Sequence, residues 1–219
     1  MKSGIIVSLL LCITLSSYAK HTDEQPGNPI LLNGNCKKLK EGDLLFYVTS
    51  TSNPIADVTT GFENSAITHV AIFHRIHRKI YTLEAIHKGV VLQPVDSLLS
   101  LRENKKAHVL VGRVCQGLDK KASVAHALHY LGRPYDFYFE PGDSAIYCSE
   151  LVQLCYRDKQ GQEIFRTIPM SFHNSKGIIT EYWKRYYNKA GKKVPEGAPG
   201  SNPGQLSRSK KINILYQLF

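Results

Sequence analysis

The chain has 219 residues, of which 42% are hydrophobic and 21% charged. That balance excludes a disordered or fibrous chain and allows one domain with a sizeable core. A formal net charge of +10 admits nucleic acid, anionic lipid or an acidic polymer as partner. Lys and Arg are scattered, with only short runs such as Lys37-Lys38, Lys105-Lys106 and Lys210-Lys211, so an ordinary solvated surface also accounts for the charge.

Residues 1–19 read as a secretory signal peptide. Lys2 supplies the positive start, Ile5 to Leu15 the apolar run, and Ser17-Tyr18-Ala19 the small residues before a cleavage point at Lys20. The apolar run is shorter than the roughly 20 residues a membrane span needs. Cys12 follows Leu11, where lipid modification wants a small residue. No later segment is long and apolar enough to span. The mature chain is therefore expected to be soluble and periplasmic or secreted, with a charge of +9 once Lys2 is removed from the +10 total. Export argues against nucleic acid and leaves peripheral contact with an anionic membrane or cell wall.

Residues 20–35 are polar and carry Pro26, Gly27, Asn28 and Pro29, the composition of a flexible leader; the domain is expected over 36–219. Short strands are predicted at 43–48, 68–73, 80–86, 90–95 and 107–114, with a loop or loop plus short helix at 49–66. Helices follow at 120–131, with Gly132 as its stop, at 148–157 and at 177–190, where Trp183 belongs to the core face. Residues 191–209 are rich in Gly, Pro and Ser, and the chain ends in a strand at 212–219. Strands in the first half and helices in the second give an α+β layout, an antiparallel sheet or barrel packed against helices.

Four cysteines remain in the mature chain. Cys148 and Cys155 sit seven apart on one predicted helix, about 10 Å, too far for a disulfide. Cys36–Cys115 is the pairing that spares both. No CxxC pair is present to suggest a zinc or thioredoxin-like site.

Two places carry chemistry. With a two-residue turn at Ile76-His77, residues opposite each other in the hairpin sum to 153, and His69 faces Glu84. A register slip of two keeps them diagonal neighbours on the same face. A carboxylate on one ring nitrogen fixes the tautomer and orients the ring, as a general base requires; a structural cross-strand pair is the alternative. Cys148 sits at the predicted start of a helix, where the dipole and free N–H groups favour a thiolate and donate to an oxyanion. A small buried core cysteine is the alternative there.

The segments Glu41-Gly-Asp-Leu-Leu-Phe46, Thr68-His-Val-Ala-Ile72, Leu83-Glu-Ala85, Gly132-Arg-Pro-Tyr-Asp136 and Tyr147-Cys-Ser-Glu-Leu-Val152 occur in that order. As an ordered set they resemble the permuted papain-like hydrolases of the NlpC superfamily, in particular the YiiX/YaeF-like group. The likeness spans roughly residues 38 to 187. Here the His-bearing strand precedes the Cys-bearing helix, the permuted order. The resemblance implies a circularly permuted papain-like fold, with Cys148 as nucleophile, His69 as general base and Glu84 as the residue that orients it. Tyr135 matches a tyrosine near the site that helps bind the oxyanion, and Tyr147, beside the nucleophile, joins it as an oxyanion or substrate-binding residue.

The expected chemistry is acyl transfer through a thioester, with no metal or organic cofactor. Relatives of this kind suggest a peptide or amide in cell-wall peptides, or a lipid-linked acyl group; a non-catalytic binding module on the same scaffold is the alternative class. His126 and His129, three apart on a helix, lack an evident third metal ligand. Asp136 and Asp143 fit turns. Tyr135, Phe137, Tyr138 and Phe139 line a groove or fill the core.

Overall fold

The structure, a computed structural model, describes residues 35–95, Leu98 and 107–219. The expected signal peptide, the leader before Asn35 and the Lys105-Lys106 run lie outside the described residues. In chain order the elements are β1 (Leu44–Thr49), α1 (Pro54–Val58), β2 (Ile67–Ile76), β3 (Lys79–Ile86), β4 (Gly89–Pro94), β5 (Ala107–Val114), α2 (Lys120–His129), α3 (Cys148–Cys155), β6 (Ile168–Pro169), α4 (Glu181–Lys189), β7 (Pro199–Gly200), α5 (Pro203–Ser207) and β8 (Ile212–Gln217). Six strands form an antiparallel sheet in the order β4-β3-β2-β1-β5-β8, and β6 pairs with β7 in a separate two-stranded ribbon. The α+β expectation holds.

Side-chain alternation along the strands divides the core in two. Leu44, Phe46, Val48, Val70, Ile72, Leu83 and Ala85 pack with Val124 and Ala127 of α2 and Leu151, Val152 and Cys155 of α3. Leu45, Ala71, Phe73, Val109 and Val111 pack in a second cluster with Cys36, Leu39, Val95, Leu98 and Leu218. Burying each such Val, Leu, Ile or Phe side chain is worth about 1.5–3 kcal/mol, so Leu151 and Val152 fix α3 against the sheet and, with it, the position of Cys148.

The Glu41-Gly-Asp segment locks the start of β1. The Asp43 carboxylate accepts two bonds from the Arg113 guanidinium on β5, each 2.6 Å, while Glu41 accepts from the Arg75 N–H at 3.0 Å and pairs with His74. The carbonyl of Gly42, between them, accepts the buried Tyr156 hydroxyl at 2.9 Å, tying the residue after α3 back to the sheet.

Several boundaries differ from expectation for local reasons. The β2–β3 turn is His77-Arg78, one residue later than expected, with His77 in the left-handed region at φ 54°. Paired residues therefore sum to 155, as in Ile76↔Lys79 and Ile72↔Leu83. Helix α4 begins at Glu181, not 177, because the Asn174 side chain takes the N–H groups of Lys176 (3.0 Å) and Ile178 (3.2 Å) into a turn. Helix α3 ends at Cys155 because Tyr156 is extended and the Arg157 N–H turns to the Ser123 hydroxyl at 3.0 Å. The expected Cys36–Cys115 bridge is not formed. Cys36 is buried among Leu39 and Leu45, whereas Cys115 is exposed beyond β5, its sulfur 3.9 Å from the Lys210 carbonyl. Among the described residues, no helix is long and apolar enough to cross a membrane.

The edge strand β4 carries the segment that leads to Tyr135. The Val90 N–H donates to the Arg133 carbonyl (2.8 Å) and the Gly132 N–H to the Val90 carbonyl (2.9 Å). Gly89 makes this approach feasible: it sits at φ +98°, and a Cβ there would stand 2.3 Å from the Arg133 oxygen. Gly89→Ala is expected to cost about 1–3 kcal/mol of unfolding free energy, read as a lower midpoint in urea with an unchanged slope.

Candidate active site

Cys148 is the first residue of α3, with Tyr147 as N-cap in an extended conformation. The first-turn N–H groups of a helix lack intrahelical acceptors, so this position presents donors beside the sulfur. Glu150, three residues after the Tyr147 N-cap, folds back and accepts the Tyr147 N–H at 3.4 Å. Burial pushes the Glu150 carboxyl up to about 8, against that bond, which lowers it. At neutral pH this carboxyl is mostly protonated, so it adds little negative charge beside the sulfur.

His69 and Glu84 meet as the diagonal neighbours of a hairpin slipped by two. The His69 Nε2 lies 2.6 Å from the Glu84 Oε2. The same imidazole lies close enough to the Cys148 sulfur for the two to interact electrostatically. With Nε2 committed to Glu84, Nδ1 is the nitrogen left for sulfur. The structure thus brings Cys148, His69 and Glu84 together. Burial alone would depress the His69 pKa, but the Cys148 sulfur and then the Glu84 carboxylate outweigh it and raise the ring above its ordinary value.

Glu84 is itself firmly held. Its Oε1 accepts the Thr82 hydroxyl at 2.5 Å, and the buried Tyr47 phenol lies beside the pair. Burial pushes this carboxyl up, yet His69, Thr82 and Tyr47 together prevail and keep it below the usual range. Tyr47 is the direct β1 partner of His69, and their rings lie 4.8 Å apart. Sequence reading missed both supports. Thr82 was legible, since it precedes Glu84 by two on one strand and so shares its face. Tyr47 was not, because a long loop separates β1 from β2 and hides their register.

At that point the β1–β2 ladder shifts: Tyr47 pairs with His69 but Val48 with Ile67, leaving Thr68 without a β1 partner. Thr68 instead lines a cleft of about 490 Å³ that also holds Cys148. Most of the cleft wall is apolar or aromatic: Ile55 and Val58 of α1, Phe139, Met170, Phe172 and Trp183. Tyr135 lines it as well, and its hydroxyl has no hydrogen-bond partner among the described residues. Burial, and then the Cys148 sulfur, raise the Tyr135 phenol, which keeps it a donor. Tyr147 presents its ring to the cleft, while its hydroxyl accepts the Ser201 N–H at 2.9 Å and serves to hold the C-terminal segment.

The aromatic stretch divides by residue. Tyr135 and Phe139 line the cleft, Tyr138 packs against Tyr186 and Tyr187, and Phe137 is exposed. Phe139 holds φ 53°, an uncommon conformation for an aromatic residue, which sets its ring edge-on to Tyr147 and Trp183. Asp136 holds this turn, accepting the N–H groups of Tyr138 (2.8 Å) and Glu140 (2.6 Å). Asp143 is exposed. His126 and His129 both pack against Tyr130, and among the described residues no group of three or more His, Cys, Asp or Glu is placed to hold a metal ion. The Gly- and Pro-rich 191–209 segment, given no role from sequence, supplies Ser201, Asn202 and Pro203 to the cleft wall.

Comparison with known proteins bears on the family and the fold. The chain is 30% identical over 127 residues to the uncharacterized protein YiiX of Escherichia coli strain K12, a match covering 56% of this chain and 60% of that relative's length. Its fold is similar to the crystal structure of the metalloprotein yiiX from Escherichia coli O157:H7, with a TM-score of 0.65 at 23% identity over 81% of this chain and 97% of the other. A family model described as permuted papain-like amidase enzyme, YaeF/YiiX, C92 family, matches residues 38–216. That span takes in the His-bearing strand, the Cys-bearing helix and both walls of the cleft between them, and the chain belongs to this family of permuted papain-like amidases.

Proposed function

We propose that the chain is a cysteine amidase in which Cys148 attacks, His69 moves the proton and Glu84 holds the imidazole. The observation that carries this reading is the single ring shared between a sulfur and a carboxylate, beside an apolar cleft. His69 takes the thiol proton, and the Cys148 sulfur adds to the acyl carbon. The oxyanion is received by the Cys148 N–H and the Tyr135 hydroxyl. As the C–N bond breaks, His69 returns the proton to the departing amine. Water then loses a proton to His69, adds to the thioester, and releases the acid as the proton returns to Cys148.

The O157:H7 relative is described as a metalloprotein. In this chain the Glu84 carboxylate is already engaged by His69 and the Thr82 hydroxyl, and among the described residues no group of three or more His, Cys, Asp or Glu is placed to hold a metal ion. These residues do not fit a metal, and no step here is routed through one.

The apolar cleft favours a substrate with a hydrocarbon or aromatic group beside the scissile bond. That supports a lipid-linked acyl amide or ester alongside a cell-wall peptide. Mass spectrometry of a peptidoglycan digest set against a panel of N-acyl lipids separates the two.

Labelling with an electrophilic acyl-thiol probe is expected to acylate wild type on Cys148, to fail in Cys148→Ala and to slow by about 100-fold or more in His69→Ala. Persistent labelling of Cys148→Ala would falsify the assignment. The raised His69 pKa places loss of its proton, and of its role as acid, on the alkaline side. Removing the carboxylate that supports it lowers that pKa. In Glu84→Gln the alkaline limb of kcat/KM should therefore move to lower pH, and an unmoved limb would show that Glu84 does not act through the ring.

A further inference from the structure

A second cleft, about 970 Å³ in volume, adjoins the first and shares Ser201 and Asn202 with it. Its chemistry is different. Arg166, Arg208 and Lys211 line it, together with Gln205, and no Asp or Glu is among its lining residues. Elsewhere in the described chain, Arg113 and Arg157 are neutralised by Asp43 and Glu163. The Arg166 and Arg208 guanidinium groups make neither an ion pair nor a hydrogen bond among the described residues, and the Lys211 ammonium donates only to the Ile164 carbonyl, at 2.6 Å.

Unpaired cations on one concave wall repel each other and attract an anion from solution. Guanidinium groups suit the planar or tetrahedral oxygens of a carboxylate or phosphate. Lys211, fixed by its carbonyl bond, adds charge without swinging away. The divider between the clefts is itself ordered: the Ser201 hydroxyl donates to Ser149 at 3.1 Å, and the Asn202 side chain caps α5 through the Gln205 N–H at 2.7 Å. A molecule lying across Ser201 and Asn202 has one end in an apolar pocket beside Cys148 and the other among cations.

We propose that this second cleft is the anion-binding half of the substrate site, and that the substrate is an acyl amide with an apolar group on one flank and a phosphate or carboxylate on the other, gripped by Arg166 and Arg208. This rests on the amidase reading of Cys148. The shared chemistry is a single anionic group; its two sources are the phosphate of a lipid headgroup and the carboxylate of a peptide.

Three matched amides test it: N-decanoyl-ethanolamine, N-decanoyl-O-phosphoethanolamine and N-decanoyl-β-alanine. Wild type should favour at least one anionic amide over the neutral one by about tenfold or more in kcat/KM, the scale of a charge-assisted contact. The preference should collapse toward unity in Arg166→Gln/Arg208→Gln and persist in Lys193→Gln, an exposed lysine outside the cleft. The phosphate and carboxylate arms tell the two sources apart. Binding of the same amides to Cys148→Ala by calorimetry separates this site from the chemistry. Anion preference in binding that needs both arginines, with no turnover by wild type, supports the site and sinks the amidase reading. Turnover or binding with equal preference for neutral and anionic amides, or a preference indifferent to the arginine pair, overturns the site.

Discussion

The candidate site depends on the Glu84 carboxylate. Two partners hold it directly, His69 on β2 and Thr82 on β3 itself, and the Tyr47 phenol on β1 packs beside them. A buried carboxylate without such partners would protonate or leave the core. With them it stays charged, and its charge orients the imidazole. The packing of α3 on the sheet then brings Cys148 within electrostatic reach of that ring. Remove the carboxylate, and the ring loses both its orientation and the charge that helps to raise its pKa.

Around that pair the chain closes a cleft from segments far apart in sequence. Helix α1 supplies Ile55 and Val58, the loop before α3 supplies Tyr135 and Phe139, and the segment after α4 supplies Ser201 to Pro203. Hydrogen bonds between segments hold the walls: the Trp183 indole N–H donates to the Pro54 carbonyl at 3.2 Å, and the Tyr186 and Tyr187 hydroxyls donate to the Phe137 and Tyr138 carbonyls at 3.0 and 2.9 Å. Tyr147 closes the ring by accepting the Ser201 N–H. The positive φ of Phe139 is accommodated within this network of aromatic contacts and backbone bonds.

Legibility in the sequence followed the range of the interactions involved. The His69–Glu84 contact could be read because a hairpin is local and side-chain parity survives a slip of two, so a turn misplaced by one residue left the pairing intact. Cys148 could be read because helix starts carry local signals and apolar anchors follow at helical spacing. Tyr47 and the C-terminal wall could not, since their pairing crosses long loops and depends on tertiary packing alone. The late start of α4 shows the opposite failure: a local Asn174 side chain outcompeted the helix that periodicity suggested. The Cys36–Cys115 bridge had been reached by elimination among cysteines, a method blind to Cys36 lying in a core cluster while Cys115 faces solvent.

The central claim is that His69 is charged by its contact with the Cys148 sulfur and held by Glu84. The most direct measurement is a ¹⁵N NMR titration of the His69 ring in wild type and in Cys148→Ala. The account predicts a ring still protonated near pH 8 in wild type, with its titration displaced to lower pH once the sulfur is gone. A ring that is neutral at pH 8 in both proteins would contradict it.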